Sequence, residues 1–243
     1  MEEVKLKKIV DQHREMENFF SGGLVVKNTA DNFRHQNAQA VLSNVTDGLR
    51  QIAEEVHKCR KCELGSLRRN AVPGEGNPAA LIAFVGEGPG ADEDAQGRPF
   101  VGRAGQLLDK IIKAMGLKRQ DIYICNVLKC RPPDNRDPKP EEIINCLPYL
   151  QRQLELINPK IIVALGAHAA RSLLNNNKSI GQLRGQFHEY YPGLGRHPIK
   201  LMATFHPAYL LRNYSDDNRA KVWEDMKKVL TELNLPVPNY GKK

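Results

Sequence analysis

The sequence is poor in aromatic residues and has no long apolar run. Only 6% of its 243 residues are Phe, Trp or Tyr. No window is long and apolar enough to span a membrane, and the first ten residues, MEEVKLKKIV, lack the basic-then-apolar layout of a signal peptide. These absences indicate a cytosolic protein with no membrane partner.

Acidic residues are fewer than basic ones. Lys and Arg total 36 against 28 Asp and Glu, which gives a formal charge of +8. Such an excess favours a polyanionic partner, although many basic proteins bind no nucleic acid. Charge alone therefore keeps nucleic-acid binding open without deciding it.

Cysteine is also scarce, with five residues at positions 59, 62, 125, 130 and 146. Structural disulfides are rare in the cytosol, so a different use is expected. Only Cys59 and Cys62 form a C-x-x-C pair, whereas a zinc ribbon needs two such pairs. Four thiolates would suit zinc and an iron–sulfur cluster equally by count. Cys125 lies in an apolar strand pattern and is interpreted as a buried thiol.

Strand and helix patterns alternate from residue 80 onward. Four short apolar runs predict strands at 80–85, 122–127, 160–165 and 199–205, and helical patterns occur near 103–115, 140–157, 167–175 and 216–234. This order predicts an α/β fold, a parallel sheet with helices on both faces. Upstream, a charged helix is predicted over 1–20, a linker over 24–45 and a further helix from near Asp47. The expected divisions are an extension over 1–46, a main domain over 47–235 and a tail over 236–243.

The carboxyl ends of the four predicted strands carry GEGPG, NVLKCRPP, GAHAA and FHPAYLLRN. In such sheets ligands bind beyond these ends, so the four segments are expected to line one crevice. The first matches the dinucleotide fingerprint G-x-G-x-x-A. However, its proline interrupts the turn, and the acidic run ADED would repel a pyrophosphate. A structural turn or close approach of a flat ligand to the glycines are the remaining interpretations.

Three single residues, two in these segments and one in GRPFVG, are candidates for ligand binding. His206 follows a strand end and precedes a rigid proline. Asn126 ends the second strand, and its amide offers a donor and an acceptor that match a nucleobase edge. Phe100, an aromatic among glycines, could stack on a flat ring. The ordinary alternatives are a structural histidine, a common strand-end Asn and a core phenylalanine.

The segment after His206 resembles a wedge. Tyr209, Leu210, Leu211 and Arg212 form an apolar group edged with a cation. Proteins that distort duplexes insert such side chains between base steps. An ordinary loop that packs two leucines inward is the alternative.

Together these motifs resemble the family 4 uracil-DNA glycosylases, the iron–sulfur-containing branch of that superfamily. The match spans roughly residues 50 to 233 and includes CRKCELG, GEGNP, FVGEGPGADEDAQGRPFVGRAGQLL, NVLKCRPPDNRDP, LGAHAARSLL and FHPAYLLRN. Several long motifs in the right order make the resemblance specific.

The resemblance implies a three-layer α/β/α domain with a central four-stranded parallel sheet. It implies a monofunctional enzyme that flips uracil out of single- or double-stranded DNA and hydrolyses its N-glycosidic bond, the first step in excision of deaminated cytosine. It also implies a [4Fe–4S] cluster, with ligands Cys59, Cys62, Cys130 and Cys146. A monomeric, nucleoid-associated protein of prokaryotic type is expected.

The resemblance also assigns roles to single residues. Phe100 would stack on uracil, Asn126 would read its Watson–Crick edge, and Glu93 would crowd out the methyl group of thymine. His206 would bind uracil O2, Gly88 would supply close backbone contacts, and Leu210 or Leu211 would fill the gap left in the duplex. The best-known branch has an Asp at the position of Gly88 to orient water. Glu87 is the nearest carboxylate here, so the water-positioning group is left open.

Two other functions remain as alternatives. An iron–sulfur DNA-binding module related to domains of phage-type polymerases would keep the cysteines but lose the pocket residues. A branch that bonds covalently to the abasic sugar uses a His in an insertion after NVLKC, and RPPDNRDPKPEE here contains none. In the extension, residues 13–20 (HREMENFF) loosely resemble a sliding-clamp peptide, with an ordinary amphipathic helix as the alternative.

Overall fold

A computed structural model describes residues 29–192 and 197–239, with side chains from residue 41 onward. The predicted helix over 1–20 and the clamp-like segment lie outside these residues. The chain divides into two units, Met1–Ser43 and Asn44–Lys243. None of the described helices is both long enough and apolar enough to cross a membrane.

The second unit is built on a six-stranded sheet in the order β1-β3-β2-β4-β6-β5. Its strands are β1 (Glu75–Gly76), β2 (Ile82–Gly86), β3 (Tyr123–Asn126), β4 (Ile161–Leu165), β5 (Phe187–Tyr190) and β6 (Ile199–Thr204). The four central strands are mutually parallel, as predicted. β1 and β5 add antiparallel edges that the sequence did not indicate.

Helices cover both faces of the sheet. They are α1 (Thr29–Lys58), α2 (Leu64–Leu67), α3 (Ala91–Gln96), α4 (Arg103–Ala114), α5 (Pro140–Ile157), α6 (Ala167–Leu174), α7 (Ile180–Leu183), α8 (Pro207–Arg212) and α9 (Asp216–Glu232). Alternation along β2 separates two cores, because successive strand residues face opposite sides. Ala83 and Val85 pack in the core that includes α5 and α6, and Ile82 and Phe84 in the core that includes α4 and α9. The α/β class and the three layers are confirmed.

The start of α1 differs from the sequence-based expectation. A linker was predicted over 24–45, with a helix from near Asp47, but the described residues are already helical from Thr29 onward. No Gly or Pro occurs between Thr29 and Asp47, and Gln, Ala, Arg and Leu have good helix propensity, so this polar stretch can be helical. Further along, a Cβ at Gly48 would lie 2.8 Å from Leu156 Cδ1, which shows how closely α1 approaches α5.

The order of the central strands fixes where a ligand can bind. The chain passes from β2 to β3 on one side of β2 and then crosses to β4 on the other side. The direction of winding therefore reverses between β2 and β4. A crevice opens at such a switch point, beyond the carboxyl ends of the strands. The loops after these two strands begin with Glu87 and Gly166.

Candidate active site

A cleft of about 460 Å³ lies at this switch point. Residues that follow each of the four central strands line it, which places the four predicted segments together as expected. Of the sequence-predicted residues, it contains Glu87, Gly88, Glu93, Phe100, Asn126, His206, Tyr209 and Arg212.

Asn126 ends β3 with 1% of its surface exposed. Among the described residues its Oδ1 atom has no hydrogen-bond partner. A buried acceptor without a partner costs about 1–3 kcal/mol, so its retention points to a ligand that supplies a donor. Gly86 makes the arrangement possible, because a Cβ there would overlap the Asn126 carboxamide and the ring of Phe100.

The loop of Phe100 is held in an unusual conformation. Phe100 has φ of 49°, in the left-handed region that non-glycine residues rarely adopt. Arg119 donates from Nη1 to its carbonyl oxygen at 3.2 Å and from Nη2 to the carbonyl oxygen of Pro99. Such strain persists only where the surroundings fix it, and it clusters at functional sites. The ring, 5% exposed, forms part of the cleft wall.

Glu93 lines the cleft, but its carboxylate is occupied by backbone groups. One oxygen accepts hydrogen bonds from Val101 N at 2.8 Å and Gly102 N at 2.9 Å, and the other accepts from Gly90 N at 3.1 Å. Glu93 therefore fixes the loop that carries Phe100, a role that the sequence did not reveal. Gly88 also lines the cleft, and a Cβ there would lie 3.4 Å from Leu128 Cβ, an ordinary van der Waals contact.

His206 is a neutral hydrogen-bond donor. Burial lowers the pKa of His206 to about 4, with Arg212 acting in the same direction and Glu93 opposing it. Its Nδ1 accepts a hydrogen bond from Ala208 N at 3.0 Å, so the proton of the neutral ring resides on Nε2. The ring centroid lies 5.6 Å from that of Phe100.

Two further polar residues face Glu87. Single ligand-type atoms of Glu87, Asp137 and His168 lie within 4.8 Å of one another, and His168 Nε2 is 3.6 Å from Asp137 Oδ1. Burial raises the pKa of Glu87; His168 and Arg212 oppose this rise and Asp137 adds to it. The sequence did not indicate Asp137 and His168 as site residues, although His168 belongs to the strand-end segment GAHAA and Asp137 to the motif NVLKCRPPDNRDP.

The four residues of the predicted wedge lie in different environments. Leu210 is 4% exposed and packs in the core beside β6, so it cannot enter a duplex. Leu211 is 38% exposed, which narrows the candidate wedge to this leucine. Tyr209 stacks on Phe205 with centroids 4.9 Å apart, and Arg212 lines the cleft.

The four cysteines predicted as ligands meet in a separate place. Cys59 and Cys62, between α1 and α2, line a small cavity with Cys130 and Cys146. Arg68 Nη1 donates to Cys130 Sγ at 3.0 Å, and Lys129 N donates to Cys146 Sγ at 3.1 Å. Cys125 is a residue of β3 and is buried in the core that includes α5 and α6, as expected.

The chain is similar to known uracil-DNA glycosylases. The model of the uracil DNA glycosylase superfamily matches residues 73–227. A type-4 uracil-DNA glycosylase of Saccharolobus solfataricus is 47% identical over 77% of the chain and 88% of that protein. One of Thermotoga maritima is 50% identical over 73% of the chain and 90% of that protein. The chain belongs to the type-4 uracil-DNA glycosylases.

A third match bears on the alternative function. The DNA polymerase of Bacillus phage SP01 is 30% identical over 57% of the chain, but the match covers only 14% of the polymerase. The type-4 relatives are more similar and match over nearly their whole length. The polymerase-type module is therefore not favoured.

The cysteine site has the donors that a metal centre needs. Burial raises the pKa of Cys130, and it raises that of Cys146 to about 11, so both would remain thiols without a cation. Four convergent sulfurs, two of them receiving N–H hydrogen bonds, suit either zinc or an iron–sulfur cluster. The type-4 relationship is consistent with the cluster.

Proposed function

We propose that the cleft is the site at which this uracil-DNA glycosylase binds and excises uracil. The enzyme hydrolyses the N-glycosidic bond of uracil in DNA and leaves an abasic site, a reaction of base excision repair. The observation that carries the assignment is the Oδ1 of buried Asn126, which has no hydrogen-bond partner in the described part of the chain and lies close to Phe100, within the same cleft as His206.

Recognition of the base follows from donor and acceptor chemistry. Asn126 Oδ1 would accept from uracil N3–H while its amide nitrogen donates to O4. Cytosine presents an acceptor and an amino group at these positions, so it would leave the Asn poorly paired. Phe100 would stack on the ring. Glu93 and its neighbours would crowd a methyl group at C5, so thymine would be rejected.

Bond cleavage places negative charge on uracil and positive charge on the sugar. The electron pair of the C1′–N1 bond leaves with uracil, and His206 Nε2–H would donate to O2 as charge develops there. A preorganised donor of this kind typically contributes about 10²–10³-fold in rate. Its lowered pKa keeps His206 neutral, so it acts as a donor without forming an ion pair with the substrate phosphates.

The water and the sugar cation would meet the acidic side of the cleft. Glu87 in its ionised form would stabilise the cationic sugar and take the proton of the water whose oxygen adds to C1′. Asp137 and His168, within 4.8 Å of Glu87, would supply further hydrogen-bonding partners for that water. This group would take the part of the Asp that is absent at Gly88, because polar side chains from three loops lie within 4.8 Å of one another in the same cleft.

Access to the site requires the target nucleotide to leave the stack. Leu211 is an exposed apolar side chain next to Arg212, which lines the cleft; it would fill the vacated space, and Arg212 would lie near the phosphates. Uracil in single strands or mispairs costs the least to extract, so these substrates are expected to react fastest.

The four cysteines would hold a [4Fe–4S] cluster. Bound there, it would supply a covalent link between residues 59–62 and the segment 130–146. Purified protein should be brown and contain iron and sulfide in equal amounts. Colourless protein with one zinc per chain would contradict the cluster but not the glycosylase activity.

The activity is tested with oligonucleotides that contain one U opposite A, one U opposite G, or a single-stranded U. Release of uracil, followed by alkaline cleavage of the abasic site, is expected for all three, and Asn126→Ala should lose most of it. Tight binding to uracil-free DNA without any release at micromolar enzyme would instead support the DNA-binding module.

The extension and the assembly state remain separate proposals. Residues 13–20 would bind a sliding clamp, and the enzyme would act as a monomer. Pull-down of a purified clamp by the full-length chain, compared with Phe19→Ala, tests the first. Light scattering of the full-length chain tests the second.

A further inference from the structure

One short segment connects the cleft with the cysteine site. It runs from Asn126, which lines the cleft, to Cys130, which lines the cysteine cavity. Within it, the amides of residues 127 and 128 donate to the carbonyl oxygens of Gly86 and Glu87, each at 2.9 Å. The first half of the segment is therefore tied to the loop that forms the cleft.

Lys129 contacts both sites at once. Its backbone N–H donates to Cys146 Sγ at 3.1 Å. Its Nζ donates to the carbonyl oxygen of Asn126 at 2.8 Å and to Oε1 of Gln153 at 2.6 Å. The side chain thus folds back on its own segment, from the cysteine site towards the base-reading residue.

Gln153 fixes the far end of this contact. Its Nε2 donates to Pro73 O at 2.8 Å and to Tyr123 Oη at 3.2 Å, which orients Oε1 towards Lys129. Gln153 and Cys146 are seven residues apart on α5, two turns along one helix face. A single helix face therefore holds both the backbone and the side chain of Lys129.

The burial of Lys129 is unusual. It is 1% exposed, and among the described residues no carboxylate forms an ion pair with it. Lysine is almost never fully buried without such a partner. Because its Nζ is enclosed by protein, it does not reach the cleft, so its contribution must pass through Asn126.

We propose that Lys129 is a positioning residue that sets the direction of the Asn126 carboxamide and makes it depend on the cysteine site. The inference rests on the proposed function, in which Asn126 reads uracil. Holding the Asn126 carbonyl fixes the peptide plane from which its side chain leaves. Lys129 Nζ donates one N–H to the Asn126 carbonyl oxygen and one to Gln153 Oε1. An amine has two such N–H groups in either protonation state.

The test replaces Lys129 with methionine, which keeps most of the volume and removes the donors. Holoprotein is compared for four quantities: the inhibition constant of free uracil, kcat/KM on single-stranded U-DNA, the Kd for abasic DNA, and the visible spectrum. Lys129→Met should weaken uracil inhibition and kcat/KM by about 10–100-fold, as loss of a supporting contact does. Abasic-DNA affinity and colour per chain should stay at the wild-type level.

Two controls separate positioning from general damage. Tyr190→Phe removes a buried hydroxyl that has no partner among the described residues, and should leave all four quantities unchanged. Lys129→Gln keeps an N–H donor on a shorter side chain and should fall between wild type and Lys129→Met. It also provides the test if the methionine variant does not fold.

Two results would overturn the inference. One is uracil inhibition within twofold of wild type in a folded Lys129 variant. The other is a loss of activity that follows the loss of colour while the coloured fraction binds uracil normally. Asn126→Ala distinguishes a failure of this inference from a failure of the proposed function. If Asn126→Ala also binds uracil normally, the proposed role of Asn126 fails as well.

Discussion

The cleft and the cysteine site differ in whether their buried polar groups have hydrogen-bond partners. In the cleft, Asn126 Oδ1 has no partner among the described residues, and His206 presents the Nε2–H of a neutral ring. At the cysteine site, Cys130 and Cys146 already receive hydrogen bonds from Arg68 and Lys129. A substrate that binds and dissociates needs side chains that are free to form hydrogen bonds with it. A metal centre that stays bound can instead be surrounded by donors that are already in place.

The two sites should therefore differ in what their substitutions change. In the cleft, Asn126 and His206 carry unmet hydrogen-bonding capacity, so replacing them should affect activity more than stability. Residues of the cysteine site join distant segments, so replacing them should affect stability first. Four predictions test this difference.

Cys146→Ser should have the largest effect, on stability. Loss of one proposed ligand would release the proposed link between residues 59–62 and α5, and structural metal sites contribute many kcal/mol. We expect a decrease of at least about 4 kcal/mol, or roughly 10 °C in Tm, with loss of colour. Thermal unfolding followed by circular dichroism measures it. Cys125→Ala is the matched control and should keep the colour; a colourless control would mean that Cys125 is a ligand.

His206→Asn should reduce activity with little change in stability. Asn is a good N-cap and can still accept from Ala208 N, but it lacks a donor at the position of Nε2. We expect kcat to fall by about 10²–10³-fold and Tm to change by less than about 3 °C. Single-turnover kinetics give the rate. His188→Asn, at a histidine that bonds Leu183 O outside the cleft, should keep the wild-type rate.

Glu87→Gln should change the pH profile. Because the pKa of Glu87 is raised above its ordinary value of 4.5, the carboxylate takes up a proton at a higher pH than an ordinary glutamate does. Activity should therefore fall as the pH decreases through the raised pKa. The amide removes this acidic limb and lowers the plateau by about 10²-fold. Rates of kcat/KM between pH 5 and 9 measure both effects. An acidic limb that is unchanged in the variant would assign the limb to a group other than Glu87.

Leu211→Ala should have the smallest effect and only on duplex substrate. An exposed leucine contributes little to stability, whereas a side chain that fills the gap in a duplex matters only there. We expect about a tenfold loss on U:A duplex, corresponding to ~1.4 kcal/mol, and no loss on single strands. Leu210→Ala is the contrast: it should lower stability by about 2–4 kcal/mol because Leu210 is in the core. Equal loss on both substrates would argue against the wedge.

The sequence predicted the central strands to within one or two residues. β-branched apolar runs and helical periodicity follow directly from burial on the two faces of a parallel sheet. It missed β1 and β5, since the first is two residues long and the second is only partly buried and pairs solely with β6. It also placed the start of α1 too late, because a polar composition without Gly or Pro was interpreted as a linker.

Within the site, the sequence indicated residue types but not their partners. It predicted that Asn126, Phe100 and His206 would share a crevice, because parallel strands end at one edge. It could not show that Glu93 binds three backbone amides, or that Asp137 and His168 face Glu87. The contacts of Glu93 lie within nine residues of it and depend on how its own loop folds, whereas the contacts around Glu87 join loops far apart in sequence.

By itself the sequence determined the fold class, the family motifs and the four cysteines, because periodicity and local spacing are written along the chain. Only the tertiary structure decided which of two adjacent leucines is buried and that Lys129 turns inward to contact Asn126. Side-chain direction at a helix end and the burial of a lysine depend on packing against distant elements. Local sequence constrains such packing only weakly.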